Sequence, residues 1–127
     1  MGFSGVVPDG WKSISPGAYS PSGKVTDNTA FLHQAAPVSP EILIQALQSQ
    51  LESNEIKAQF EKTGTRSANG IDWDIYSKSI SIANFDLAVG TRDNMTYFIL
   101  LQAPKNDHAV LYEAVFLPAI DALKPTK

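Results

Sequence analysis

The chain has 127 residues, 10 Lys+Arg against 13 Asp+Glu for a formal net charge of −3, and no cysteine. That length supports one domain, expected to span residues 1–127, with a core that needs no disulfide or metal staple. The composition excludes thiol chemistry and Cys-ligated metal centres, the mildly acidic balance excludes a dedicated nucleic-acid binder, and no run approaches the roughly 20 apolar residues of a membrane-spanning helix. Charged residues make up only 18%, with Gly 8 and Pro 8, which favours a turn-rich, β-containing domain over a helical bundle. The first five residues lack the basic start and apolar stretch of a signal peptide, and Val6 stands where a myristoylation signal has Ser or Thr.

Residues 3–7 read as a short strand closed by Pro8-Asp9-Gly10, where proline presets one turn dihedral and glycine accepts a positive φ. Trp11-Lys12-Ser13-Ile14 alternates apolar and polar, so the two runs are expected to pair as an N-terminal hairpin. Residues 15–28, dense in Ser, Pro and Gly, read as a loop with one short strand around Ala18 and Tyr19. Residues 29–34 give a third strand with Phe31 and His33 on one face. Ser39-Pro40-Glu41 is a helix start: serine caps free amides, proline has no amide to waste at the first position, and the acid suits the positive helix end. Leu43, Leu47 and Leu51, with Ile44 and Ala46, form an apolar stripe at helical spacing. Gln45, Gln48, Gln50 and Glu52 form the wet face, and Ser53-Asn54 is the expected end.

After Ile56 the period becomes two. Residues 57–65 alternate around Ala58 and Phe60, and Asn69-Gly70 is a hairpin turn whose twist matches its flanking strands. In the next strand Ile71, Trp73 and Ile75 point one way, Asp72, Asp74 and Tyr76 the other. Phe85, Leu87 and Val89 repeat the pattern with Asp86 and Ala88 between them. Residues 90–94 read as a turn, and residues 96–102 are apolar almost throughout, as in a central strand covered on both faces. These four runs predict an antiparallel meander. A last helix, capped by Asn106 or Asp107, is carried by residues 110–117. Pro118 then removes one helical bond and clashes with the preceding turn, which predicts a kink or two short helices. Ala119, Ile120, Ala122 and Leu123 continue the stripe up to Lys124-Pro125. The fold class is α+β: a single antiparallel sheet of about six strands with two main helices packed on it.

Few residues carry chemistry. His33 and His108 are the only histidines and have no companion at ligand spacing, so no metal is expected, nor any other cofactor. Asp107-His108 could act as a charge-oriented base, but capping explains Asp107 more simply, and no serine sits in a Gly-x-Ser-x-Gly elbow. Asp72 and Asp74 share a strand face with side chains about 7 Å apart. Paired carboxylates can do acid–base work or bind a cation; a solvated face paired with Lys57, Lys62 or Arg92 is the simpler reading. Tyr76 lies on the same face, and an exposed tyrosine beside carboxylates makes a contact patch as readily as it makes cover beneath residues 15–28. Asp72, Asp74 and Tyr76 are therefore the candidate partner or ligand contacts, with no catalytic set. Asn94-Met95-Thr96 matches a glycosylation sequon at a tight turn and reads as a chance match.

Four stretches carry a resemblance: Phe3 with Pro8-Asp9-Gly10-Trp11, then Gly70-Ile71-Asp72-Trp73, then Tyr97-Phe98-Ile99-Leu100, and the tail over residues 107–121. With the element order they resemble the PsbP-like superfamily, which includes the photosystem II extrinsic protein, a Ran-binding import factor, DcrB-type lipoproteins and chaperones for secretion effectors. The tail is also similar to small accessory domains of bacterial lipoproteins and of proteins with α/β-hydrolase domains. The resemblance implies an α/β/α sandwich and an extracytoplasmic setting, periplasmic or lipoprotein-derived. Its residues are core and turn residues, so it transfers no functional residue. The expected function is a non-catalytic binding or accessory module that presents a sheet face or sheet–helix groove to a protein partner. One rival is a small hydrolase or ligand-handling enzyme using Asp72, Asp74 and a histidine, which requires the three to converge in a pocket. Another is a chaperone for an apolar client segment, which requires an exposed apolar patch of several hundred Å².

Overall fold

The computed structural model describes residues 3–7, 10–15, 17–23, 29–51, 61–79 and 83–125. Pro8-Asp9, the expected helix end at Ser53-Asn54 and the alternation around Ala58 and Phe60 lie outside the described residues. In chain order the elements are β1 (Phe3–Ser4), β2 (Lys12–Ser15), β3 (Ala18–Ser20), β4 (Ala30–Ala36), α1 (Pro40–Leu51), β5 (Glu61–Ala68), β6 (Ile71–Ser79), β7 (Ala83–Arg92) and β8 (Met95–Pro104). A C-terminal helix follows in three parts, α2 (His108–Leu111), a π-helical turn (Tyr112–Phe116) and α3 (Leu117–Ala122), and then β9 (Lys124–Pro125).

Among the described residues, seven strands form one sheet in the order β2-β3-β4-β8-β7-β6-β5, one strand more than expected. Every pair is antiparallel, and β5 to β8 make the anticipated meander. β8 is central, between β4 and β7, which is why its sequence is apolar on both faces. On one face Phe31, Ile71, Trp73, Ile75, Ile99 and Leu101 meet Phe116, Ala119 and Ile120 of the C-terminal helix. On the other, Leu87, Val89 and Phe98 meet Leu43 of α1. The result is the sandwich implied by the resemblance, with helices on both faces of one sheet. Trp73 is fully buried, as its alternation predicts.

The N-terminal hairpin does not form. Phe3 pairs with Pro125 and Ser4 with Lys124, while β2 pairs with β3. A two-residue strand has too few ladder bonds to choose its partner; side-chain burial decides, and Phe3 is buried against His33 and Tyr97. Both expected meander turns exist, each built on two left-handed residues: Asn69 (φ 54) with Gly70 (φ 80), and Asp93 (φ 54) with Asn94 (φ 66). Gly90, expected in the second turn, lies inside β7 instead. A Cβ there would sit 2.3 Å from Ile71 Cγ2 and 3.1 Å from the Asp72 carbonyl oxygen, so glycine is required for close strand packing and not for turning.

Helix ends follow local chemistry in one case and not in the other. The Ile42 amide donates to Ser39 Oγ at 3.3 Å, the expected cap of α1. Asp107 precedes α2 but makes no side-chain capping bond; its carbonyl accepts from the Leu111 amide at 3.0 Å. Pro118 produces the expected interruption as the wide π turn just before it. Proline has no amide for the Ala114 carbonyl and its ring crowds that carbonyl, and a wider turn relieves both.

Candidate functional site

The alternation that buries Trp73 and Ile75 continues to Ser77, so Ser77 faces the C-terminal helix. Register then sets Asp86 of β7 directly opposite Ser77, on the same face. Asp86 is 1% exposed. A carboxylate at that depth needs partners to offset its lost hydration, and it has two. Ser77 Oγ donates to Oδ1 at 2.9 Å, and His108 Nε2 stands 2.5 Å from Oδ2. The turn after β8 brings the first residue of α2 over the strand, so the contact joins the start of the helix to the sheet. Around it lie two adjoining hollows of about 330 and 340 Å³ that share Thr63, Ser77, Asp86 and His108. Glu61 stands at one rim and Glu113 at the other. Burial, and after it the negative charge of Asp86, push the Tyr112 phenol above its ordinary value.

Ser, His and Asp meet here, yet not in the order that makes a nucleophile. In a hydrolase triad the imidazole stands between carboxylate and hydroxyl, one nitrogen on each, so that it can take the hydroxyl proton. Here the carboxylate is in the middle. Ser77 and His108 both spend their bonds on Asp86, and Nε2 faces the acid and not the serine. What the arrangement does well is fix a buried negative charge and dock a helix end through charge-assisted hydrogen bonds. The far end of the helix has its own polar attachment. Arg66 grips Asp121 with two bonds of 2.7 Å, and Asn69 Nδ2 donates to the carbonyls of Asp121 and Leu123.

The sequence-predicted contacts lie on the opposite face of β6. Asp72 is exposed and accepts from Ser67 Oγ at 2.8 Å. Asp74 pairs with Lys62 at 3.1 Å, both about half exposed. Tyr76 is half-buried against Leu43, Leu87, Val89 and Phe98, so it packs beneath α1. Neither Asp72 nor Asp74 meets a histidine: His108 is on the other face with Asp86, and His33 is buried on β4 among aromatic rings. The convergence required by the hydrolase reading is absent for those three residues, and no group of three or more metal-ligating side chains gathers among the described residues. Sequence reasoning passed over Asp86 as the polar gap between Phe85 and Leu87. The signal was there: an acid inside an apolar run next to a central strand has no wet side to face.

The fold defined by this sheet and its two helical covers is PsbP-like. Two solved structures are similar over 96% of this chain. One is LpqN of Mycobacterium tuberculosis, described as involved in cell envelope biogenesis, with 13% identity, a TM-score of 0.58 and 82% of that chain covered. The other is the cyanobacterial PsbP (CyanoP) of Synechocystis sp. PCC 6803, with 12% identity, a TM-score of 0.59 and 85% covered. No family model matches the sequence, and no curated protein matches it. No helix among the described residues is long and apolar enough to cross a membrane.

Proposed function

We propose that residues 1–127 form one non-catalytic accessory domain, working outside the cytoplasm, that presents the groove around Asp86 and His108 to a protein partner. The observation that carries this reading is the buried Asp86 at the floor of an open groove, with one oxygen held by Ser77 and the other by His108. Such a floor is preorganised: a partner that docks there finds a fixed charge and need not order it. The setting draws on LpqN, whose description places that protein in envelope biogenesis. The strip of Asp72, Asp74 and Tyr76 is proposed as a second contact surface on the other face. The chaperone reading gains little from the described residues, whose exposed large apolar side chains are spread over the N-terminal segment (Val6, Val7), the approach to α1 and its first turn (Val38, Ile42) and α2 (Val110).

The test is retention of envelope proteins on the immobilised full chain, comparing wild type with Glu113→Lys at the groove rim and Asp72→Lys on the far face. A protein kept by wild type and lost with Glu113→Lys supports the groove; loss only with Asp72→Lys moves the contact to the strip. Retention unchanged by both, or turnover of a small ester or amide that disappears in Asp86→Asn, overturns the proposal.

A further inference from the structure

The other histidine carries an inference independent of that groove. His33 is 5% exposed, and its ring lies at a steep angle to three aromatic rings: Phe3 at 5.1 Å and 82°, Phe31 at 5.2 Å and 64°, Tyr19 at 5.8 Å and 85°. Part of this enclosure comes from the N-terminal segment. Phe3 lies against both His33 and Tyr97, the latter at 6.0 Å and 88°. Gly5 passes close enough that a Cβ would stand 3.5 Å from His33 Nδ1 and 3.8 Å from Leu123 Cα. Among the described residues the segment makes two backbone ladder pairs, Phe3 with Pro125 and Ser4 with Lys124, and residues 5–7 are exposed.

We propose that residues 3–7 are a proton-operated strap, closed over neutral His33 and released when the imidazole takes a proton, uncovering an aromatic recess floored by Phe31, His33 and Tyr97. Among the described residues no carboxylate stands against this ring, so an imidazolium shut there loses its hydration without a counter-charge. Burial alone pushes His33 below its ordinary value. Among the described residues, the titratable side chains of this enclosure are Tyr19 from β3, against His33, and Tyr97 from β8, against Phe3, and neither is a carboxylate. Lys124 of β9, opposite Ser4, is exposed and cationic. Hydration of the charged ring therefore has to come from water, and the strap is the cover with the fewest attachments. The linkage has a definite sign. The closed form holds the lowered value and the open form the ordinary 6.5. The closed form is at full advantage above 6.5 and loses up to about tenfold per pH unit below it, until the closed-form value is reached.

The experiment is proton NMR on the full chain from about pH 7.5 to about pH 4.5, following the His33 Cε1 proton and the cross-relaxation between the Phe3 and Tyr97 rings. Methyl signals of Ile71 and Ile99 report whether the core stays folded. The expected result is a Phe3–Tyr97 signal that fades along the His33 titration while the core signals hold, and a His33 midpoint that rises toward 6.5 in Phe3→Ala, since removing the strap must favour the charged ring by the same factor. His33→Gln, which keeps a neutral side chain, is expected to retain the ring contact in acid. A His33 that titrates at 6.5 with the ring contact intact, a midpoint unmoved by Phe3→Ala, or equal loss of contact in His33→Gln would each overturn the strap.

Discussion

Among the described residues, the two faces of the sheet are covered unequally. On one face Phe31, Trp73, Ile99 and Leu101 of the sheet meet Phe116 and Ile120 of the C-terminal helix, all fully buried, and the helix is attached by polar contacts at both ends, His108 to Asp86 and Asp121 to Arg66. On the other face the described buried set is Leu43 of α1 with Leu87, Val89 and Phe98 of the sheet, bordered by half-buried Leu32, Ile44, Tyr76 and Leu100, and Ile42 of α1 is 57% exposed. Among the described residues, aromatic burial is therefore greater on the face of the C-terminal helix. The groove opens at the edge of that face, where a rigid wall can hold a buried charge in place.

The sharpest way to break this comparison is truncation on each face. Phe116→Ala should cost about 3–5 kcal/mol, and Leu43→Ala about 2 kcal/mol, the low end for a buried leucine beside a cover that can settle; urea unfolding of the two variants measures the gap. Equal costs would show that the faces contribute alike. Gly90→Ala comes next, at about 1–3 kcal/mol, because the added methyl meets Ile71 and the Asp72 carbonyl and the central strands have to part. A finer probe is Trp73. Its Nε1 is buried with no hydrogen-bond partner among the described residues, so Trp73→Phe removes an orphaned donor along with volume. It should cost clearly less than the roughly 3–5 kcal/mol of Trp73→Ala.

Smaller effects sharpen the picture at the helix ends. Asp86→Asn keeps the shape and removes the charge, so the Tyr112 phenol, pushed up first by burial and then by Asp86, should titrate lower when followed by ultraviolet absorbance. An unchanged Tyr112 would mean that burial alone accounts for its shift. Arg66→Ala should cost at most about 1 kcal/mol and less at high salt, because the pair is largely solvated. Arg66 holds the Asp121 carboxyl below its usual range. That contribution is therefore present above pH 3.8, the ordinary value, and fades as pH falls through the lowered one.

Much of this was legible in the chain. Period-two alternation from residue 71 onward placed Trp73 in the core and ordered the meander, because a strand buried on one face leaves a strict trace. The Asn69-Gly70 turn and the Ser39 cap were readable because each rests on one residue's local chemistry. Three features were not. The pairing of Phe3 with Pro125 is set by a contact across the whole chain, to which local pattern is blind. Gly90 resembled a turn residue because glycine serves turns and close strand packing alike. Asp86 was masked by the habit that reads a polar residue in an alternating run as solvent-facing, which fails for a strand with a helix on each side.

The most direct test of the proposed site is a mapping of contact by photo-crosslinking residues placed at Glu113 on the groove rim, at Asp72 on the far face and at Asn94 in the β7–β8 turn, all three exposed, in one envelope preparation. The groove reading expects a single dominant protein adduct at position 113, weaker or none at 72, and none at 94. Equal labelling at all three positions, or adducts only at position 94, would contradict it.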